Sequence, residues 1–376
     1  MSADLDKQRN ALLKDGFVIV RGMISPGELE SFRASSDAIV DAAPSSSRIV
    51  ITEWVDQQSA DVLEFLFSDR TFGSTRDMLG SPDAAPLGMW ILCSANTGWH
   101  RDIHPFDMAP LDGLQEDIRL NGPPYLQWNI ALYDDPFLHV VPGSHLRRNS
   151  SEESRIERSM GLIPLTGALK VDLKAGDGVI YINNILHAAA NSESTKRRTL
   201  HLGYQAFGGR GFAHFYPTVS MCTEFLDRIS TEFAELCRHF DSLHETRREE
   251  VIRVLLAILV RDKAAFADAI ERIHPSRYCR MVTAVVLSKT AYLMRKFKNS
   301  DERTYHNGPD MQKLTARFST EELEELWCRF AILDRKLQAD EEIYEPLFQS
   351  GPTRYFFYEM PEGFGMDDFV NSWGRD

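Results

Sequence analysis

Apolar and polar positions recur in three different ways along the chain, and each predicts a different kind of structure. Asp4 to Lys14 has helical spacing and stops at Asp15-Gly16, which predicts a short amphipathic helix. Phe17-Val18-Ile19-Val20 is β-rich and breaks at Gly22, as an early or edge strand does. Ser25-Pro26-Gly27-Glu28 then opens a helix with a cap, a proline at the first helical position and a capping-box glutamate. That helix runs towards Ala42 and ends before Pro44-Ser45-Ser46-Ser47. Arg48 to Trp54 reads as a strand, and Ala60 to Leu79 as short helical pieces up to Gly80.

From Leu87 to about Phe207, short apolar strands alternate with Gly, Pro, Asn and Asp turns. They are Gly88–Ser94, Tyr125–Tyr133, His139–Pro142, Gly178–Asn183 and Thr199–Ala206. Short strands without long intervening helices predict an antiparallel barrel or double-sheet jelly roll. After about Tyr216 the helical period returns, at Phe225, Ile229, Phe233, Leu236 and Phe240, and again over Val251–Ile270 and Val282–Phe297. Asn299–Asp310 is a polar loop, Ser319-Thr320-Glu321-Glu322 caps a helix through Leu337, and the aromatic stretch from Tyr355-Phe356-Phe357-Tyr358 is expected to dock on the body. The expected chain is α+β, with a strand-rich core and N-terminal helices over 1–216 and a mostly helical region over 217–376. The helical region is expected to serve as a lid, a substrate pocket or a homodimer interface.

Composition narrows the partners. The net charge of −13 over 376 residues argues against a nucleic-acid binder and against anionic membranes. The cysteines are scattered, odd in number and lack CxxC spacing, so neither a disulfide framework nor a structural zinc site is expected. Met1 to Lys14 lacks the apolar core of a signal peptide, and Val254–Val260 with its neighbours falls short of the ~20 residues that span a bilayer. A soluble, cytoplasmic protein acting on a small molecule is expected.

The chemistry centres on Gly98-Trp99-His100-Arg101-Asp102. His-x-Asp occurs twice, again at His239-Phe240-Asp241. On a strand, residues i and i+2 point the same way and can reach one metal, whereas on a helix they diverge. His100 follows a strand pattern and His239 sits in a helical one, so the first copy is the candidate. A third ligand is expected from a distant strand, and His187 stands at the end of one, after Gly176-Asp177-Gly178-Val179-Ile180-Tyr181-Ile182. Two histidines and one carboxylate on one face form the facial triad of non-haem Fe(II) oxygenases. The same residue types also permit zinc.

These segments resemble the phytanoyl-CoA dioxygenase-like family of Fe(II)- and 2-oxoglutarate-dependent oxygenases over roughly Leu5 to Phe207. The similarity is carried by Asp15-Gly16-Phe17-Val18-Ile19-Val20-Arg21-Gly22, Trp99-His100-Arg101-Asp102, Val140-Val141-Pro142-Gly143-Ser144-His145, and His187 with Asn191, Arg197-Arg198 and Leu200-His201-Leu202-Gly203-Tyr204. The resemblance implies a double-stranded β-helix core of the jelly-roll, cupin-like kind. It implies that His100, Asp102 and His187 bind Fe(II) and carry catalysis with O2 as co-reactant. It further implies that an arginine binds the far carboxylate of 2-oxoglutarate. Counting eleven residues on from His187 reaches Arg198, whereas aligning Asn191 and Tyr204 selects Arg197. The two face opposite sides of a strand. Ala189 stands where the family usually has serine.

The implied reaction hydroxylates a C–H bond of a metabolite and releases succinate and CO2. Relatives that halogenate lack the carboxylate, so Asp102 favours hydroxylation, with desaturation, epoxidation or cyclisation using the same triad. Two other readings are a non-catalytic β-helix binding module and a zinc or cupin-like enzyme. Gln127 and Asn129 share one face of their strand, opposite Leu126, Trp128 and Ile130, and can touch cosubstrate or substrate. Trp99 and His104 flank the motif as candidate pocket residues. Arg147, Arg148, Arg155 and Arg158, interleaved with Glu152, Glu153 and Glu157, read as a solvated basic loop or an anion site.

Overall fold

Strand alternation decides which side chains meet. In a computed structural model of the chain, ten strands among the described residues form two antiparallel sheets. The described residues are 3–94, 96–102, 111–159, 164–190, 195–207, 223–273, 277–300, 309–337 and 363–373. The strands are β1 (Phe17–Val20), β2 (Arg48–Val50), β3 (Asp83–Leu92), β4 (Asn96–His100), β5 (Tyr125–Ala131), β6 (Asp135–Val140), β7 (Leu169–Leu173), β8 (Gly178–Ile182), β9 (His187–Ala190) and β10 (Thr199–Phe207). The larger sheet has the order β1-β8-β5-β10-β3-β2, the smaller β4-β9-β6-β7.

The register sorts the larger sheet into two faces. Gln127 pairs with Tyr181 and Gly203, and Asn129 with Val179 and His201, so these side chains share one face. Ala131, Val179 and Tyr181 on that face pack against Leu138, Val140, Val171 and Leu173 of the smaller sheet, with Phe17 and Ile19 beside them. Each such side chain contributes about 1.5–3 kcal/mol when fully buried. Leu126, Trp128, Leu202 and Tyr204 lie on the other face and are buried. There the Trp128 indole donates to Thr75 Oγ1 at 2.7 Å, and the Tyr204 hydroxyl donates to the Leu66 carbonyl. The N-terminal helices Pro26–Ala42, Ala60–Phe67 and Ser74–Leu79 have the capped and apolar character that their sequences predict.

Several boundaries differ from expectation. The strand at Arg48 stops at Val50, and Ile51–Trp54 is a helical turn because Ile51 and Val55 turn inward to be buried. Leu111–Asn121 and Ser151–Arg158 are helices. In the second, Ser150 and Glu153 form a capping box, and Arg147 is held by both Glu153 oxygens at 2.7 Å. Part of the basic loop is therefore a helix cap.

The chain divides into two compact units. One holds both sheets, the N-terminal helices and residues 223–241; the other holds Leu111–Asn121 and the helices from residue 242 onward. In the second unit Phe266, Phe330, Phe369 and Trp373 form an aromatic core, with the Phe330 and Phe369 rings stacked at 5.4 Å. No described helix is long and apolar enough to cross a membrane.

The turn into β8 ties the sheet to the N-terminal segment. Gly176 has φ +91°, its amide donates to the Ala131 carbonyl at 2.8 Å, and its carbonyl accepts from Ile24 at 3.0 Å. A Cβ at Gly176 would lie 2.4 Å from the Ile24 carbonyl oxygen, which is backbone and cannot rotate away. Gly176→Ala is expected to destabilise the fold by about 3 kcal/mol, measured by urea unfolding; a loss below about 0.5 kcal/mol would contradict this geometry.

Candidate metal centre

Antiparallel pairing brings the two histidines together. His100 on β4 is the cross-strand partner of His187 on β9, after an irregularity between Thr97 and His100. Directly opposed residues hold their Cβ atoms within about 5 Å, and the two imidazole centroids are 4.2 Å apart. Asp102 follows two residues later, on the same side. Its backbone is clamped to the turn before β9: its amide donates to the Asn183 carbonyl at 3.1 Å, and Asn183 Nδ2 donates to its carbonyl at 2.8 Å.

The donor atoms converge. Asp102 Oδ1 lies 3.6 Å from His100 Nε2, and Oδ2 lies 3.6 Å from His187 Nε2. One ligand atom from each residue lies within 4.8 Å of the others. Each imidazole also has its Nδ1 against the carbonyl two residues back in its own strand, Gly98 at 2.7 Å and Ile185 at 2.8 Å. A carbonyl only accepts, so both Nδ1 atoms carry the proton and both Nε2 lone pairs face Asp102. Two lone pairs and a carboxylate repel one another unless a cation lies between them. This donor set, its tautomers fixed by backbone acceptors, fits a divalent metal and matches the two-histidine, one-carboxylate set of non-haem iron. The second His-x-Asp copy does not form such a cluster: His239 is on the helix Thr231–Leu259 and pairs with Asp83 at 2.5 Å.

Behind the triad, Arg101 points away from it and is fully buried. Its Nη1 donates to the carbonyls of Ser144 at 2.8 Å and Asn184 at 2.7 Å, and its Nε donates to Asn149 Oδ1 at 3.1 Å. Ser144 Oγ in turn accepts from the Leu186 amide at 2.8 Å. The Pro142-Gly143-Ser144-His145 turn thus braces both ligand-bearing strands through one guanidinium.

On the larger sheet, Gln127 Nε2 donates to Asp102 Oδ2 at 3.2 Å, which places Gln127 beside the cluster. Its Oε1 is buried without a partner. Asn129 instead accepts from His201 Nδ1 at 2.7 Å. Arg197 and Arg198 separate as alternation requires. Arg197 is buried, its Nε on Asp135 at 2.8 Å and its Nη1 on the Ser94 carbonyl at 3.0 Å, while Nη2 is buried without a partner. Arg198 turns the other way, to Asp37 at 2.8 Å. Trp99 also lies away from the cluster, packed among Val141, Ile156, Leu165, Leu186 and Ala188. His104, Asn191 and Tyr355–Tyr358 lie outside the described residues. The sequence reading missed His201, Asn183 and Asp135. Only His201 carried a signal, by sharing a strand face with Thr199 and Gly203.

Comparison with known proteins gives the class, a non-haem iron dioxygenase dependent on 2-oxoglutarate, and the donor set fits it. The profile of the phytanoyl-CoA dioxygenase (PhyH) family matches residues 12–200, and the chain belongs to that family. An ectoine dioxygenase of Nocardia farcinica (strain IFM 10152) is 25% identical over 232 residues, 50% of this chain and 72% of the relative. Among solved structures, EctD from S. alaskensis with 2-oxoglutarate and 5-hydroxyectoine superposes with a TM-score of 0.43 at 17% identity, covering 56% of this chain and 78% of EctD. The epimerase SnoN from nogalamycin biosynthesis gives 0.40 at 22%, covering 54% and 83%.

Two expectations follow. Arg101→Met leaves buried carbonyls unpaired and is expected to weaken Fe(II) binding about 10–100-fold, with partial recovery in Arg101→Lys; anaerobic iron titration of folded protein reads this, and unchanged affinity would refute the bracing role. The second concerns His201. Burial, with the Arg48 charge next, holds it well below its ordinary 6.5, so it stays neutral when folded. Unfolded, it takes a proton as pH falls through that value, so its contribution to stability is complete above about 6.5 and is lost below it, by up to about 1.4 kcal/mol per pH unit. His201→Gln is expected to flatten the stability profile between pH 7.5 and 5.5; an identical slope would assign the proton uptake elsewhere.

Proposed function

We propose that the chain hydroxylates a C–H bond of a small-molecule metabolite, with His100, Asp102 and His187 holding Fe(II) and Arg197 holding the far carboxylate of 2-oxoglutarate. The observation that carries this reading is the convergence of the His100 and His187 Nε2 atoms on the two Asp102 oxygens, each at 3.6 Å. The two antiparallel sheets, closed over a shared apolar layer, are read as the halves of a double-stranded β-helix. Bound iron and 2-oxoglutarate supply the oxidation, in which O2 is consumed, succinate and CO2 leave, and a C–H becomes C–OH.

The chain's own residues position and select. The backbone carbonyls of Gly98 and Ile185 fix the imidazole tautomers, and Asn183 fixes the aspartate. Gln127 donates to Asp102 Oδ2 and would orient the carboxylate that holds the metal. Arg197 offers Nη2, the donor that Asp135 and Ser94 leave over. Asp102 keeps a carboxylate where a halide would otherwise bind, which supports hydroxylation over halogenation. Desaturation, epoxidation and cyclisation use the same groups and differ only in how the substrate is held. A non-catalytic binding module has no use for three converging donors with fixed tautomers.

Anaerobic Fe(II) with 2-oxoglutarate is expected to give the visible charge-transfer band of the chelate, and His187→Ala is expected to lose both the band and succinate formation. An iron-loaded protein without the band would end this reading. Arg197→Gln is expected to raise the apparent Kd for 2-oxoglutarate at least about tenfold, whereas Arg198→Gln leaves it within about twofold; the reverse order would assign the carboxylate to Arg198.

A further inference from the structure

At the β2–β3 edge, the inner face of the larger sheet carries a cation that the proposed reaction does not use. Val50 pairs with Trp90, Trp90 with His201 and His201 with Asn129, so these four side chains lie in one row across the sheet. Arg48, two residues before Val50, shares their face. Its guanidinium lies 4.4 Å from the centre of the Trp90 ring, and the Trp90 ring lies 5.6 Å from that of His201. The indole has room to lie flat because residue 88 is glycine: a Cβ there would stand 1.8 Å from the ring.

Arg48 differs from its neighbours in how its charge is met. Arg21, Arg33, Arg70, Arg147, Arg197 and Arg198 each have a carboxylate partner. Among the described residues no carboxylate pairs with Arg48, although the chain carries a net charge of −13. The side chain is exposed, yet its field reaches inward: it is the foremost charge acting on buried His201, and it also acts on buried Tyr181. The Tyr181 ring is 5.5 Å from that of the candidate ligand His187. A guanidinium with one face covered by indole keeps its N–H edge free for a planar anion.

We propose that Arg48, held over Trp90, is a second carboxylate-binding side chain of the site, separate from Arg197, and that the carboxylate it takes belongs to the small-molecule substrate. This rests on the iron and 2-oxoglutarate reading above. The substrate class is then a carboxylic acid whose adjoining apolar or flat portion lies along Trp90, while the bond to be oxidised reaches the triad. Arg48 sets specificity by matching the carboxylate edge with two parallel N–H donors.

The test uses anaerobic protein loaded with Fe(II) and 2-oxoglutarate, titrated with hexanoate and phenylacetate and with the matching amides. Perturbation of the chelate band and thermal shift are the readouts. The acids are expected to give saturable responses that the amides do not. Arg48→Gln is expected to weaken them at least about tenfold and Arg48→Lys to restore part, with the Kd for 2-oxoglutarate within about twofold of the parent. Equal responses to acids and amides, or an unaltered response in Arg48→Gln, overturns the proposal. A tenfold weaker 2-oxoglutarate in Arg48→Gln assigns the carboxylate to the cosubstrate and overturns the substrate assignment. A parent protein with no chelate band counts against the iron reading alone, because the thermal response to the acids still reads Arg48.

Discussion

The pairing of His100 with His187 across β4 and β9 is the constraint on which the site depends. Both strands are short, so few ladder hydrogen bonds fix their register, and a slip of one residue would send one imidazole to the opposite face. The structure fixes the register by other means. Asn183 grips the Asp102 backbone in both directions, Arg101 joins the Ser144 and Asn184 carbonyls, and Ser144 accepts from the residue before His187. Each brace acts on backbone, so it holds the ligands in place without occupying their donor atoms.

Charge is distributed along the same logic. One part of the interior between the sheets is apolar, around Leu138, Val171, Val179 and Ile185, and another is polar, around Gln127, Asn129, His201 and Arg197. A buried ion pair such as Arg197–Asp135 gains little net stability, because desolvating both groups offsets their attraction. Arg197 Nη2 stays buried without a partner beside that pair. Arg48 is the complementary case, a cation steadied by an aromatic ring and left open on its donor edge.

Much of this was legible in the sequence, for identifiable reasons. The triad was readable because strand period two places i and i+2 together, and because His187 follows the apolar run after a Gly-Asp-Gly turn, although that strand ends at Ile182 and His187 opens β9. The alternation of Gln127 and Asn129 against Trp128 and Ile130 gave the inner face of β5 correctly. Strands β7 and β9 escaped because their runs are too short or too polar to register as strands, and β4 was legible only as the strand pattern leading into His100. The helix Leu111–Asn121 carries Leu111, Leu114 and Ile118 at helical spacing, and Ser150 with Glu153 repeats the capping box recognised at Ser25; both signals were present and overlooked. The placement of Arg48 over Trp90 was not legible, since it follows from which strands become neighbours. The same holds for Arg101, where a charged residue between two ligands looks solvent-facing until the turns that bury it are known.

The central claim is that backbone carbonyls preset two imidazoles so that both Nε2 atoms and Asp102 hold one metal. A crystal structure of the protein loaded anaerobically with Fe(II), with anomalous scattering at the iron edge, tests it most directly. The account expects one iron bound by His100 Nε2, His187 Nε2 and an Asp102 oxygen, with both Nδ1 atoms still on the carbonyls of Gly98 and Ile185. Iron bound through Nδ1, or seated at His239 and Asp241 instead, would contradict it.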